Sequence, residues 1–285
     1  MNQTIYKDKD KNAIRFSQIK KIEAAMPFNG LGIKYVASGE EVYYANNKKY
    51  VVKEGEYIIG NDFTSSIVQI NHQEPVQGLC IDISPQIIAE VASYHQLNTA
   101  NLQEFLLSDQ FFVNKYHAKN TSLGYSLRQI NSKIRTGEFN NDLNKNELFY
   151  SLAESIIGEQ RFILDQLSKL DFKKTVTREE TLRAILSART YMEEHADANL
   201  SLEQICAASG LSKYHFIRVF KATFGISPYQ YQICCRLEKA RTALMNGKAI
   251  FDTAIICGYA DVATFSKAFK QMFGCSPGAI KNSNF

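Results

Sequence analysis

The sequence has no apolar run near the ~18 residues that cross a membrane as a helix. Its start, Met1 to Lys11, is polar and lacks the apolar centre of a signal peptide. A cytosolic, cytoplasmic protein with no membrane partner is therefore expected. The six cysteines (Cys80, Cys206, Cys234, Cys235, Cys257, Cys275) include no C-x-x-C pair, so neither a disulfide framework nor a zinc site is indicated. They read as small buried hydrophobes. H-E-x-x-H, a glycine-rich phosphate loop and a nucleophile elbow are also missing. The five histidines (72, 95, 117, 195, 215) are scattered along the chain. No catalytic residue, metal or cofactor is expected. What is present is 285 residues, 45% hydrophobic and 22% charged, enough apolar mass for two cores.

The net charge of +4 is unevenly distributed. From Leu200 to Phe285 there are ten Lys/Arg against four acids, a balance of +6, so the preceding residues sum to −2. A basic C-terminal block on a near-neutral body points to a polyanion as partner, or to a solvated face.

From Leu31 to Ile83 the chain alternates in short runs: Leu31–Ala37, Glu41–Ala45, Tyr50–Lys53, Tyr57–Ile59, Ile67–Ile70 and Leu79–Ile83, with turn residues such as Asn46-Asn47 between them. Such spacing predicts an antiparallel sandwich or barrel. Ser84-Pro85 then caps a helix, and the remainder reads as helical. Between about Asp142 and Leu170, Leu148, Phe149, Leu152, Ile156, Ile163, Leu167 and Leu170 form one apolar stripe. Two packings satisfy it: against the barrel, or against its twin in a homodimer, with Leu148, Leu152, Ile156 and Ile163 as the dimer face. Lys173 to Val176 is the linker candidate, because Thr177 and Glu180 form a T-x-x-E capping box that restarts a helix.

The deciding feature is an internal repeat. Phe220-Lys221, Phe224-Gly225 and Ser227-Pro228 recur as Phe269-Lys270, Phe273-Gly274 and Ser276-Pro277, all offset by 49, as are Phe216/Phe265 and Arg218/Lys267. Each copy reads as helix, turn, helix. In the first, Ser201 and Gln204 make a capping box, Ser209-Gly210-Leu211 turns, and Ser212 caps a second helix. In the second, Thr253 to Cys257 is helical, Gly258-Tyr259-Ala260 turns, and Asp261 is the cap. Two helix-turn-helix units would set their second helices in successive major grooves of duplex DNA. A connecting helix from Ser227-Pro228 to about Asn246 spans roughly 28 Å, near the ~34 Å of one DNA turn.

Leu202 to Ile205, Ser212 to Lys221, Phe224 to Pro228, Ala254-Ile255 with Cys257-Gly258-Tyr259, and Phe265 to Lys270 resemble the AraC/XylS transcriptional regulators over about Arg178 to Lys281. The resemblance implies an α+β chain: a cupin-like antiparallel β-barrel with following helices (1–172), then an all-α domain of two helix-turn-helix units joined by a long helix (173–285). It also implies RNA polymerase as a partner.

Carried over by position, the resemblance puts Tyr214, Ile217 and Arg218 at base edges from the first reading helix. Val262, Ala263, Thr264 and Lys267 follow from the second. These positions are complementary to the apolar Phe216/Phe220 and Phe265/Phe269 faces. Arg218 carries a fork that fits guanine O6 and N7, whereas Ile217, Val262 and Ala263 offer only apolar contact. Ser212, Lys213, Lys221 and Lys270 are candidates for phosphate. In the barrel, Ile33, Tyr35, Tyr44, Tyr50, Val52, Tyr57 and Ile59 either line a small-molecule effector pocket or simply fill the interior. Lys34 and Lys53 could meet an acidic effector or be solvated. Control by a partner protein, and a cupin-type metalloenzyme, are the alternatives.

Overall fold

In a computed structural model, residues 2–94, 99–139, 144–169, 175–198 and 200–282 are described. The chain forms two compact units, Met1–Asp165 and Gln166–Phe285. The expected boundary between 172 and 173 lies outside the described residues.

The first unit holds strands β1 (Asn2–Lys7), β2 (Ala13–Ala25), β3 (Leu31–Ser38), β4 (Glu40–Ala45), β5 (Lys48–Lys53), β6 (Glu56–Asn61), β7 (Ser66–Ile83) and β8 (Asn114–His117). They make one sheet in the order β1-β2-β7-β3-β6-β8, with β4 on β7 and β5 on β4. All strand pairings are antiparallel. The β4–β5 turn has Asn46 and Asn47 at φ 47° and 62°, the pair of left-handed residues that a two-residue hairpin requires and that asparagine tolerates. Three expectations are corrected. Ile67–Ile70 and Leu79–Ile83 belong to a single strand, β7, whose first half pairs with β4 and second half with β3. The sheet starts before residue 31, with β1 and β2, whose lysine-rich, half-exposed sequences lack a clean apolar alternation. The chain after Ser84 is not all helical either, since β8 extends the sheet beside β6.

The helices of this region are α1 (Pro85–Tyr94), α2 (Thr99–Leu106), α3 (Ser122–Thr136) and α4 (Lys145–Lys169). Ser84 precedes Pro85 as expected, its hydroxyl accepting from the Ile87 N–H at 3.5 Å. On α4, Leu152, Ile156 and Ile163 are buried within this single chain and Leu148 is half-buried. That removes the expected dimer face, because Leu152, Ile156 and Ile163 are already covered; Leu170 of the stripe lies outside the described residues. The helix meets the sheet through Phe149 against Tyr6 (ring centroids 5.7 Å apart) and through Gln160, which donates to the Tyr116 hydroxyl at 2.9 Å.

The second unit contains α5 (Thr175–Glu194), α6 (Leu202–Ser209), α7 (Lys213–Phe224), α8 (Pro228–Met245), α9 (Ile250–Ile256), α10 (Val262–Phe273) and α11 (Pro277–Asn282). Because α5 begins at Thr175, Thr177 lies inside the helix and its carbonyl accepts from the Thr181 hydroxyl. The T-x-x-E pair is therefore not a cap. The connecting helix α8 has 18 residues, opened by Pro228 and a Ser227/Gln230 capping box, and spans about 27 Å at 1.5 Å per residue. The repeat reappears as two matching ladders of rings. Phe216–Phe220 and Phe220–Phe224 lie at 5.3 and 4.6 Å, and Phe265–Phe269 and Phe269–Phe273 at 5.5 and 4.6 Å. Phenylalanines four residues apart fall on one helix face, so each ladder is the buried side of its helix.

Candidate nucleic-acid interface

Each helix pair is joined by a left-handed glycine, Gly210 at φ 69° and Gly258 at φ 78°, a conformation in which a Cβ costs energy. The turn and the buried phenylalanines together decide which side of α7 and α10 faces water. On α7, Tyr214, Ile217, Arg218 and Lys221 are all exposed, at helical spacing along one side. On α10 the corresponding side carries Ala263, Thr264, Lys267 and Lys270, also exposed. Val262 is different. It is half-buried and packs on the cluster of Leu237, Ala254, Phe265 and Phe269, because positions 262, 265 and 269 share the i, i+3, i+7 stripe. It is not a free reader.

The helix starts also differ from one another. Asp261 caps α10: Oδ1 accepts the Thr264 N–H at 2.7 Å and Oδ2 accepts the Thr264 hydroxyl at 2.9 Å. The Thr264 N–H, and after it the hydroxyl, hold the Asp261 carboxyl below the usual carboxylate range. Ser212 stands at the start of α7 but makes no side-chain cap bond, so its expected cap is absent and its hydroxyl is exposed. Lys213 is paired with Glu203, in the first turn of α6. Lys221 and Lys270 sit in the last turns of their helices.

Sequence reasoning missed Tyr229, exposed beside Pro228 at the start of α8. With Ile217, Leu202 and Ile205 it borders a small apolar hollow of about 180 Å³. Ile217 thus shares its surface between the exposed side of α7 and this hollow. An aromatic residue directly after a Ser-Pro helix start was the available signal.

Over residues 205–283, from within α6 through α8 and the second helix pair, the chain matches the family described as "Helix-turn-helix domain". The C-terminal domain is a helix-turn-helix domain of the AraC type. The chain is similar to the probable transcriptional regulator LumQ of Photobacterium leiognathi, at 27% identity over 71% of this chain and 78% of that one. It is also similar to the raffinose operon transcriptional regulatory protein RafR of Pediococcus pentosaceus, at 23% over 88% and 84%. A solved transcriptional regulator of Chromobacterium violaceum with an AraC-type DNA-binding domain aligns at 27% identity and a TM-score of 0.34, covering 34% of this chain and 88% of that one. The chain is a DNA-binding transcriptional regulator. No helix among its described residues is long and apolar enough to cross a membrane, and those residues contain no group of three His, Cys, Asp or Glu placed to hold a metal.

In the N-terminal unit of this regulator the seven expected pocket residues do not share one lining. Ile33 and Tyr35 pair with Ile59 and Tyr57, so these four project from one face of the sheet. That face is occupied by other parts of the chain: Tyr57 stacks on Tyr116 and donates to Glu159 of α4 at 3.0 Å. Tyr44 is 38% exposed on the outside, beside Phe63 and Ile67. Tyr50 is half-buried with its hydroxyl on the Val113 carbonyl, and Val52 is buried opposite Glu41. Period-two alternation puts Tyr44 on the opposite face from Tyr50 and Val52, which pair with Tyr43 and Glu41.

The other face of β3 holds Lys34, which is 1% exposed. Lys53, by contrast, is exposed. The Lys34 ammonium donates to the Pro27 carbonyl at 3.3 Å and lies 5.2 Å from the Phe28 ring centroid. Near it Glu41 accepts from the Tyr43 hydroxyl. Burial raises the Glu41 carboxyl, and burial followed by the Glu41 charge pushes the Tyr43 phenol well up.

Proposed function

We propose that α7 and α10 read DNA in the major groove, Tyr214, Ile217 and Arg218 from the first unit and Ala263, Thr264 and Lys267 from the second. Lys213, Lys221 and Lys270 contact phosphate. The observation that carries this reading is the pair of matching exposed sides on two repeated helices, in the C-terminal block with a charge balance of +6. The two readers differ in sequence, so one protein chain recognises a site without internal palindromy.

A small-molecule effector held by the N-terminal unit sets the DNA affinity. Lys34 and Glu41 support this reading, since buried titratable groups are costly to keep in a purely structural role. The effector must favour one state of the protein over the other, so operator DNA changes effector affinity by the same factor as effector changes DNA affinity.

Equilibrium titration of the full chain against a selected duplex tests the DNA reading. Affinity falls with a log-log salt slope of about −0.9 per neutralised phosphate. Arg218→Ala relaxes discrimination at one or two base pairs, whereas Lys221→Ala weakens all sequences alike and reduces the slope by about one. Equal behaviour of the two variants would refute the sorting of reader from phosphate contact.

A further inference from the structure

Thr264 has one hydroxyl proton, and its destination decides what the side chain can say to a base. The Asp261 carboxylate accepts twice from this residue, taking the backbone N–H at 2.7 Å and the hydroxyl at 2.9 Å. A carboxylate has no proton to give, so in the second bond Thr264 is the donor. Its oxygen therefore turns only lone pairs outward. Thr264 is exposed on the same side of α10 as Lys267, one turn on.

In the major groove, adenine N6 and cytosine N4 present hydrogens, while guanine O6 and N7 and thymine O4 accept them. We propose that Asp261 is a specificity-determining positioning residue: by holding the Thr264 proton it makes Thr264 an acceptor, which selects an amino-bearing base, adenine or cytosine, at one position of the second half of the site. This rests on the reading of α10 as a DNA-reading helix. Asp261 touches no base in this scheme and acts through Thr264. Its carboxyl, held low by the Thr264 N–H and hydroxyl, remains ionised at neutral pH, so the bond keeps its direction there.

Asparagine at 261 reverses the polarity at nearly constant helix capping, since Asn and Asp are equivalent caps. The amide oxygen keeps the Thr264 N–H, the amide N–H donates to the Thr264 oxygen, and the hydroxyl proton is released toward the base. Serine at 261 has one oxygen, which keeps the N–H bond and leaves the hydroxyl free to rotate.

Site selection from a randomised duplex library, with the full chain and thermal unfolding recorded for each variant, tests the idea. Wild type and Thr264→Ser should share a column favouring adenine or cytosine by about fivefold, the worth of one net hydrogen bond. Thr264→Val should lose that column. Asp261→Asn should move it to guanine or thymine, and Asp261→Ser, the second variant should Asp261→Asn fail to fold, should make it indifferent. An adenine or cytosine column that survives both Asp261 substitutions overturns the proposal. So does a thymine column that Thr264→Val leaves intact, which would be a methyl contact. If Thr264 substitutions change nothing while Lys267→Ala removes a column, α10 reads DNA but not through Thr264. If neither changes a column while Arg218→Ala does, the reading of α10 itself fails.

Discussion

Lys213, the first residue of α7, carries its ammonium against the carboxylate of Glu203, in the first turn of α6. A lysine on the helix proposed to face DNA is thereby held by an acid of its own helix-turn-helix unit, so in that reading phosphate must compete with that acid. Glu203→Gln should tighten DNA binding severalfold for all sequences alike. Lys213→Met in the same chain should cancel the gain, both read by titration at several salt concentrations.

The same pair has a pH signature. The bond from Lys213 leads the causes that lower the Glu203 carboxyl to about 2 from 4.5. A depressed folded-state value means that the contribution is complete above pH 4.5 and fades as pH falls through about 2. The stability difference between wild type and Glu203→Gln, followed by thermal unfolding, should therefore shrink across that window.

Glu41 has the opposite sign. Burial raises its carboxyl above 4.5, so the folded state holds its proton more tightly than the unfolded one, and stability falls as pH rises from 4.5 through the raised value. Glu41→Gln should flatten this dependence and leave the N-terminal unit more stable at neutral pH. Urea unfolding at a series of pH values measures it.

Leu152 on α4 is 0% exposed. Leu152→Ala should cost about 2–5 kcal/mol of stability. Leu152→Glu should unfold the N-terminal unit rather than change the oligomeric state of a folded protein. Denaturant unfolding with sedimentation distinguishes the two. A folded Leu152→Glu chain with altered assembly would restore the dimer face.

Two glycines should respond oppositely to alanine. At Gly124 in α3 a Cβ would stand 2.3 Å from the Ala118 Cα and carbonyl oxygen, and since backbone cannot yield cheaply the cost should be at least ~1–3 kcal/mol. At Gly158, inside α4, nothing lies within 4 Å, so alanine should stabilise by about 0.5–1 kcal/mol through helix propensity. Comparing the two midpoints of urea unfolding checks both signs.

The sequence by itself determined the C-terminal domain. The 49-residue offset places Phe216, Phe220 and Phe224 on the spacing of Phe265, Phe269 and Phe273. A helix needs only its own periodicity to show which side it buries, and Gly210, Gly258, Ser227-Pro228 and Asp261 mark ends whose chemistry is local. The same local reasoning misplaced Val262, because a residue at the first position of a helix is buried or free according to what packs beside it. The N-terminal unit was less legible. Strand partners are distant in sequence, and whether Ile33 and Tyr35 or Lys34 face a cavity depends on how β3 is set between β6 and β7. Only the tertiary structure decided that the α4 stripe is covered by its own chain, that Lys34 is buried while Lys53 is not, and that the proton of Thr264 belongs to Asp261. Each of these depends on which groups lie opposite one another in space, and periodicity along the chain carries no information about that.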